Sequence, residues 1–81
     1  MPTIVELQER LEAIRQGELE KCLRKMGPIT AEQRSAIDSL TSSMINKILH
    51  YPIIRLKESA NGEPEERETF KQTLRKIFGL R

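Results

Sequence analysis

The chain has 81 residues, of which 14 are basic and 12 acidic, for a formal net charge of +2. So short a chain buries only about 60 to 65% of its unfolded surface, which limits it to one domain with a marginal core that gains from a partner. Balanced, interleaved charges exclude a nucleic-acid-binding tail, and the single cysteine, Cys22, excludes an internal disulfide or a multi-cysteine metal site.

With no Trp, one Tyr and two Phe, the core must be aliphatic, which suits helix packing. The N-terminus has no basic region followed by an apolar run, and no apolar stretch approaches the ~20 residues that span a bilayer. These features predict a soluble, cytoplasmic protein.

Thr3-Ile4-Val5-Glu6 fits a capping box and predicts the start of a long helix over about 3–26. Ile4, Leu7, Leu11 and Ile14 fall on one face, and Leu19, Cys22, Leu23 and Met26 continue the stripe after a phase shift near Gly17, where a bend or close contact is expected. Glu6 with Arg10 and Glu20 with Arg24 are spaced for i,i+4 pairing. Gly27-Pro28 ends the helix.

Thr30-Ala31-Glu32-Gln33 is a second capping box opening a helix over about 31–50 with Ile37, Leu40, Met44, Ile45, Ile48 and Leu49 as apolar positions. Pro52 predicts a break or kink just before it, with a third, short helix over about 52–61 closed by Asn61-Gly62. Pro64, with acids in the first turn, opens a helix over about 64–78 carrying Phe70, Leu74, Ile77 and Phe78. No strand pattern occurs, so the expected fold is all-α: a small bundle of three or four helices with a long first helix.

No constellation points to catalysis. The four glycines stand singly, which argues against a phosphate loop, and a lone Cys22 and a lone His50 on different elements argue against a metal site. Cys22 reads as a packing residue on the apolar stripe, and His50 as a cap near a helix C-terminus. Asn46 sits at the edge of an apolar seam, where a polar group can fix register or oligomeric state. Lys47, Tyr51, Arg55 and Lys57 form a basic patch with one aromatic; it reads either as an RNA contact or as the solvated rim of an apolar interface.

Leu40 to Lys57 contains no acidic residue. The run Leu40-Thr41-Ser42-Ser43-Met44-Ile45-Asn46-Lys47-Ile48-Leu49-His50, followed by Pro52 and Leu56-Lys57, resembles the C-terminal dimerisation domain of glutamyl-tRNA reductase. Ile14-Arg15, Glu18-Leu19, Leu23 and Lys25 are similar to the preceding part of that family's pattern, and Gly79-Leu80 to its end. The resemblance implies one dimerisation domain over 1–81, excised from a longer protein at Met1-Pro2, with this chain itself (a homodimer) as partner.

In that family the full protein reduces glutamyl-tRNA to glutamate-1-semialdehyde with NADPH, the entry to tetrapyrrole biosynthesis. Its nucleophilic cysteine and NADPH site lie in other domains, so Cys22 is not that nucleophile. This chain is then expected to have no catalytic, cofactor-binding or metal residues and no membrane partner. The candidate interface residues are Leu7, Leu11, Ile37, Leu40, Met44, Asn46, Ile48 and Leu49. The alternative is a small helical module contacting tRNA.

Overall fold

In the computed structural model, which describes residues 2–80, three helices follow one another: α1 (Thr3–Met26), α2 (Ala31–Ser59) and α3 (Pro64–Ile77). The 29-residue α2 is about 43 Å long at 1.5 Å per residue, and it gives the molecule its 53 Å long axis, against 20 and 17 Å across. Arg15 of α1 meets Asp38 and Thr41 of α2, while Leu7 and Leu11 cluster with Leu49. Contacts that converge along the sequence in this way define an antiparallel hairpin.

The hairpin turns at Gly27, whose φ of 73° lies in the left-handed region that suits glycine. Thr30 then starts α2 with the expected capping box: the Gln33 N–H donates to Thr30 Oγ1, and the Thr30 N–H donates to Gln33 Oε1, both at 3.0 Å.

The other predicted box does not form. Pro2 caps α1 without a side-chain bond, and the Glu6 carboxylate turns instead to Arg75 of α3. A two-pronged charged bond to an arginine outweighs a single bond to a backbone N–H.

Pro52 does not end a helix. α2 runs through it to Ser59, so the two helices expected on either side are one element. The proline removes the N–H that would reach the Ile48 carbonyl, a cost of order 3 kcal/mol in an isolated helix. Tertiary packing offsets it: Ile45, Leu49, Ile53 and Leu56, at steps of 4, 4 and 3 residues, form one uninterrupted stripe on the core side of α2. Breaking the helix would take Ile53 and Leu56 out of line.

The core is concentrated where all three helices meet. Leu7, Leu11, Leu49 and Leu74 are buried there, with Ile45, Ile53, Leu56, Phe70, Phe78 and Leu80 packed around them. α3 closes with a Schellman arrangement: Leu80 N–H bonds Arg75 O at 2.8 Å and Gly79 N–H bonds Lys76 O at 3.3 Å, with Gly79 at φ 68°. That turn places Phe78 and Leu80 on the core. Beyond it, from about Arg15 of α1 and before Ile45 of α2, the hairpin has no third helix over it, and Leu19 is its buried apolar residue.

α1 also continues through Gly17, where an added Cβ would meet nothing within 4 Å. The phase shift in the apolar stripe has another cause. Leu7, Leu11, Arg15 and Leu19 are the buried positions of α1, at uniform steps of four, with a charged residue in the third place. Gly17→Ala should therefore raise stability by up to about 1 kcal/mol, read as an upward shift in melting temperature with unchanged helical content.

Candidate functional site

α2 carries two apolar stripes. The core stripe is Ile45, Leu49, Ile53 and Leu56; the other is Leu40, Met44 and Ile48, at steps of four, which are 59%, 53% and 52% exposed. Tyr51 continues this second stripe and is also exposed. Three successive turns of Leu, Met and Ile facing water on one helix amount to a contiguous apolar patch, which marks an interaction surface more often than scattered single residues do. Along α2 no acid occurs from Leu40 to Lys57.

The structure divides the eight residues expected at the seam. Leu7, Leu11 and Leu49 are buried inside one chain, so they serve the core and are not available to a partner. Leu40, Met44 and Ile48 are exposed on one side of α2, Ile37 is half-buried at its end nearest the turn, and Asn46, two residues from both Met44 and Ile48, is exposed on a different side. Asn46 lines an open depression of about 430 Å³ with Lys47, His50 and Tyr51.

Other expectations change as well. Cys22 is exposed, with Sγ 3.7 Å from Met26 Sδ, and is not packed in the core. His50 caps nothing, since α2 continues past it; its ring meets Tyr51 edge-on at 5.2 Å. Of the basic patch, Arg55 is tied to Glu58 at 2.8 Å, leaving Lys47 and Lys57. Two free cations give little grip on a phosphate backbone. Among the described residues, neither Glu6–Arg10 nor Glu20–Arg24 pairs; Arg75 takes Glu6, and Lys21 reaches Glu18 at 3.5 Å.

The residue missed by sequence reasoning is Arg15, only 8% exposed. Its Nε and Nη2 donate to Glu12 at 2.9 and 2.5 Å, and its Nη1 donates to Asp38 at 2.8 Å and to Thr41 Oγ1 at 3.2 Å. Every donor direction used is directed at an acid or a hydroxyl, and no buried side-chain polar atom is left without a partner among the described residues. The signal was present in the four-residue steps from Leu7 to Leu19, which a charged residue interrupts.

These pairs hold carboxylates ionised. Hydrogen bonds from Arg15, and then from Gln16, lower the Glu12 carboxyl to about 2, and the bond from Arg75 keeps that of Glu6 below its ordinary value. A carboxylate whose folded pKa is depressed contributes stability that is complete above the unfolded range near 4.5 and is lost as pH falls through the folded value. The melting temperature should therefore hold steady down to roughly pH 5 and fall between about 4.5 and 2, and Glu12→Gln should flatten part of that fall.

A second depression, of about 480 Å³, lies where α2 hands over to α3, with Leu56, Ala60 and Pro64 below and Arg67, Glu68 and Lys71 at its edge. Glu68 and Lys71 pair with each other at 2.9 Å, so its rim has little net charge to offer. Among the described residues, no three His, Cys, Asp or Glu side chains are grouped to hold a metal ion, and no helix is long and apolar enough to cross a membrane.

A three-helix module with an uncovered apolar stripe along its longest helix defines a class of proteins built to associate through helix faces. The comparisons give the class a family. The family model for the glutamyl-tRNAGlu reductase dimerisation domain matches residues 1–80. The chain is 47% identical to a glutamyl-tRNA reductase of Solibacter usitatus (strain Ellin6076) over 79 residues, covering 98% of this chain and 18% of that protein. It is 45% identical to glutamyl-tRNA reductase 2 of Koribacter versatilis (strain Ellin345), and 43% identical to the glutamyl-tRNA reductase of Synechococcus sp. (strain CC9311). In both cases 99% of this chain and 18% of the relative are covered. No solved structure matches it. The chain belongs to the glutamyl-tRNA reductase dimerisation-domain family, and it spans about a fifth of the length of these relatives.

Proposed function

We propose that this chain is a homodimerisation module and that two copies meet along Leu40, Met44 and Ile48, with Ile37 at one end of the seam. The observation that carries the reading is the exposed three-turn stripe itself, on a helix whose other apolar stripe is already used by the chain's own core. A two-fold pairing sets the same patch against itself, so a like charge near the axis meets its own copy. The absence of acids from Leu40 to Lys57 suits that arrangement.

In the full-length protein the module would join two reductase subunits in the cytoplasm. Reduction of glutamyl-tRNA with NADPH, which feeds tetrapyrrole synthesis, would fall to parts outside these residues. The residues present do not fit a dinucleotide. Thr30 and Gln33 occupy each other at the start of α2, and α3 opens with Glu63, Glu65 and Glu66, which repel a phosphate. Cys22 has no base or cation bonded to it, only a thioether, so the chain itself is assigned no catalytic step.

Sedimentation equilibrium over a wide concentration range, at low and high salt, tests the reading. A mass of two chains that persists in high salt supports it, because apolar burial is insensitive to screening. A folded monomer throughout overturns it. Association that requires tRNA and weakens steeply with salt would instead favour the basic residues Lys47 and Lys57 as an RNA contact.

A further inference from the structure

In the part of the hairpin that α3 does not cover, α2 is turned against its own hydrophobicity. The side facing α1 carries Asp38, Thr41, Ser42 and Ile45, three of them polar, while Leu40 and Met44 face water. The two sides lie about a third of a turn apart at 100° per residue. A rotation of that size would bring Leu40 and Met44 onto α1 and release Asp38 to solvent. Up to Met44, apolar burial favours the rotated arrangement, whereas from Ile45 onward the core stripe of the same helix opposes it.

In the stretch ahead of that stripe, what opposes it is Arg15. Its guanidinium is buried on the line Leu7-Leu11-Leu19 of α1, it bonds both Asp38 and Thr41, and it is held from behind by two bonds to Glu12. Rotating α2 would strip a buried cation of its two partners across the hairpin, which costs far more than an exposed pair gains.

We infer that Arg15 is a positioning residue that fixes the rotation of the first half of α2 in the hairpin and so keeps Leu40 and Met44 outward, in line with Ile48, for a second copy of the chain. This deepens the homodimer reading and rests on it for the consequence, although not for the geometry. Lysine does not substitute fully, since one ammonium lacks the planar fork that serves Glu12, Asp38 and Thr41 together.

The test pairs Arg15→Leu with Asp38→Ala/Thr41→Val, which leaves Arg15 on Glu12 and removes only its partners on α2. For each variant, sedimentation equilibrium gives the association constant, circular dichroism the melting curve, and amide NMR the environment of residues 38–48. Both variants should keep their helical content, weaken association at least tenfold, and shift or double the amide signals of Leu40 and Met44 while those of Leu74 stay in place. Arg15→Lys should fall between them and the wild type.

A role in stability alone predicts a lower melting temperature with the association constant and the Leu40 and Met44 signals of the folded fraction unchanged, and that result overturns the inference. If the wild type is monomeric, the homodimer reading fails but the NMR comparison still decides on Arg15. Should Arg15→Leu not fold, the double variant carries the decision.

Discussion

Met44→Asp should abolish self-association at micromolar concentration while leaving a folded chain. Met44 is more than half exposed and lies outside the core cluster, so the substitution removes little packing within the chain. At a two-fold seam the new carboxylate appears twice, each copy facing the other across an apolar contact. Burying an unpaired charge in an interface costs about 2 to 5 kcal/mol, so the association constant should drop by a hundredfold or more on that scale. Leu40→Asp should behave in the same way.

Lys57→Glu, exposed on the same helix and off the line of the stripe, is the control: it changes net charge twice as much and should shift association only slightly, and in a salt-dependent way. Sedimentation equilibrium with a parallel melting curve separates the outcomes. If Met44→Asp dimerises as the wild type does, the stripe is not the seam.

The division between seam and core is the part of the site that the sequence left unresolved. Leu49 and Ile48 are adjacent, chemically alike and both in phase with other apolar residues, yet one is buried by its own chain and the other faces water. A helix with two apolar stripes has no single favoured side, so periodicity finds the apolar positions without saying which neighbour covers them. That assignment depends on where α1 and α3 lie, which is tertiary information. Arg15 was hidden for a related reason: a charge at a four-residue step among leucines reads as an interruption of the pattern, and only its partners Asp38 and Thr41, more than twenty residues away, make it part of the pattern.

The signals that were legible are local ones. The reciprocal bonds of Thr30 and Gln33, the stop at Gly27, and the start at Pro64 behind Glu63 involve residues within three or four positions of one another, and the chain uses them as written. Thr3 and Glu6 have the same local chemistry as Thr30 and Gln33, but Arg75, 69 residues on, competes for Glu6 and wins. Pro52 is likewise a local stop signal overruled from a distance, by a stripe of four core residues that only a continuous α2 can align. Local rules fail here where a long-range contact bids for the same atoms.

Leu7→Ala should produce the opposite phenotype from Met44→Asp, losing the fold first and association only as a consequence. Leu7 is 0% exposed and sits at the meeting point of all three helices, against a cluster that includes Leu11, Leu49 and Leu74. Truncating a buried leucine costs about 2 to 5 kcal/mol, the higher values where the surroundings cannot collapse into the space. A folded chain of this size has a total stability of roughly 4 to 12 kcal/mol, so one substitution removes a large share of it.

Because a dimer stabilises its folded subunits by mass action, the Leu7→Ala melting temperature should rise with protein concentration, whereas that of Met44→Asp should not. The two variants together separate a residue that makes the module from one that makes the pair. A Leu7→Ala chain with wild-type melting behaviour would place the core elsewhere, and with it the distinction between the two stripes of α2.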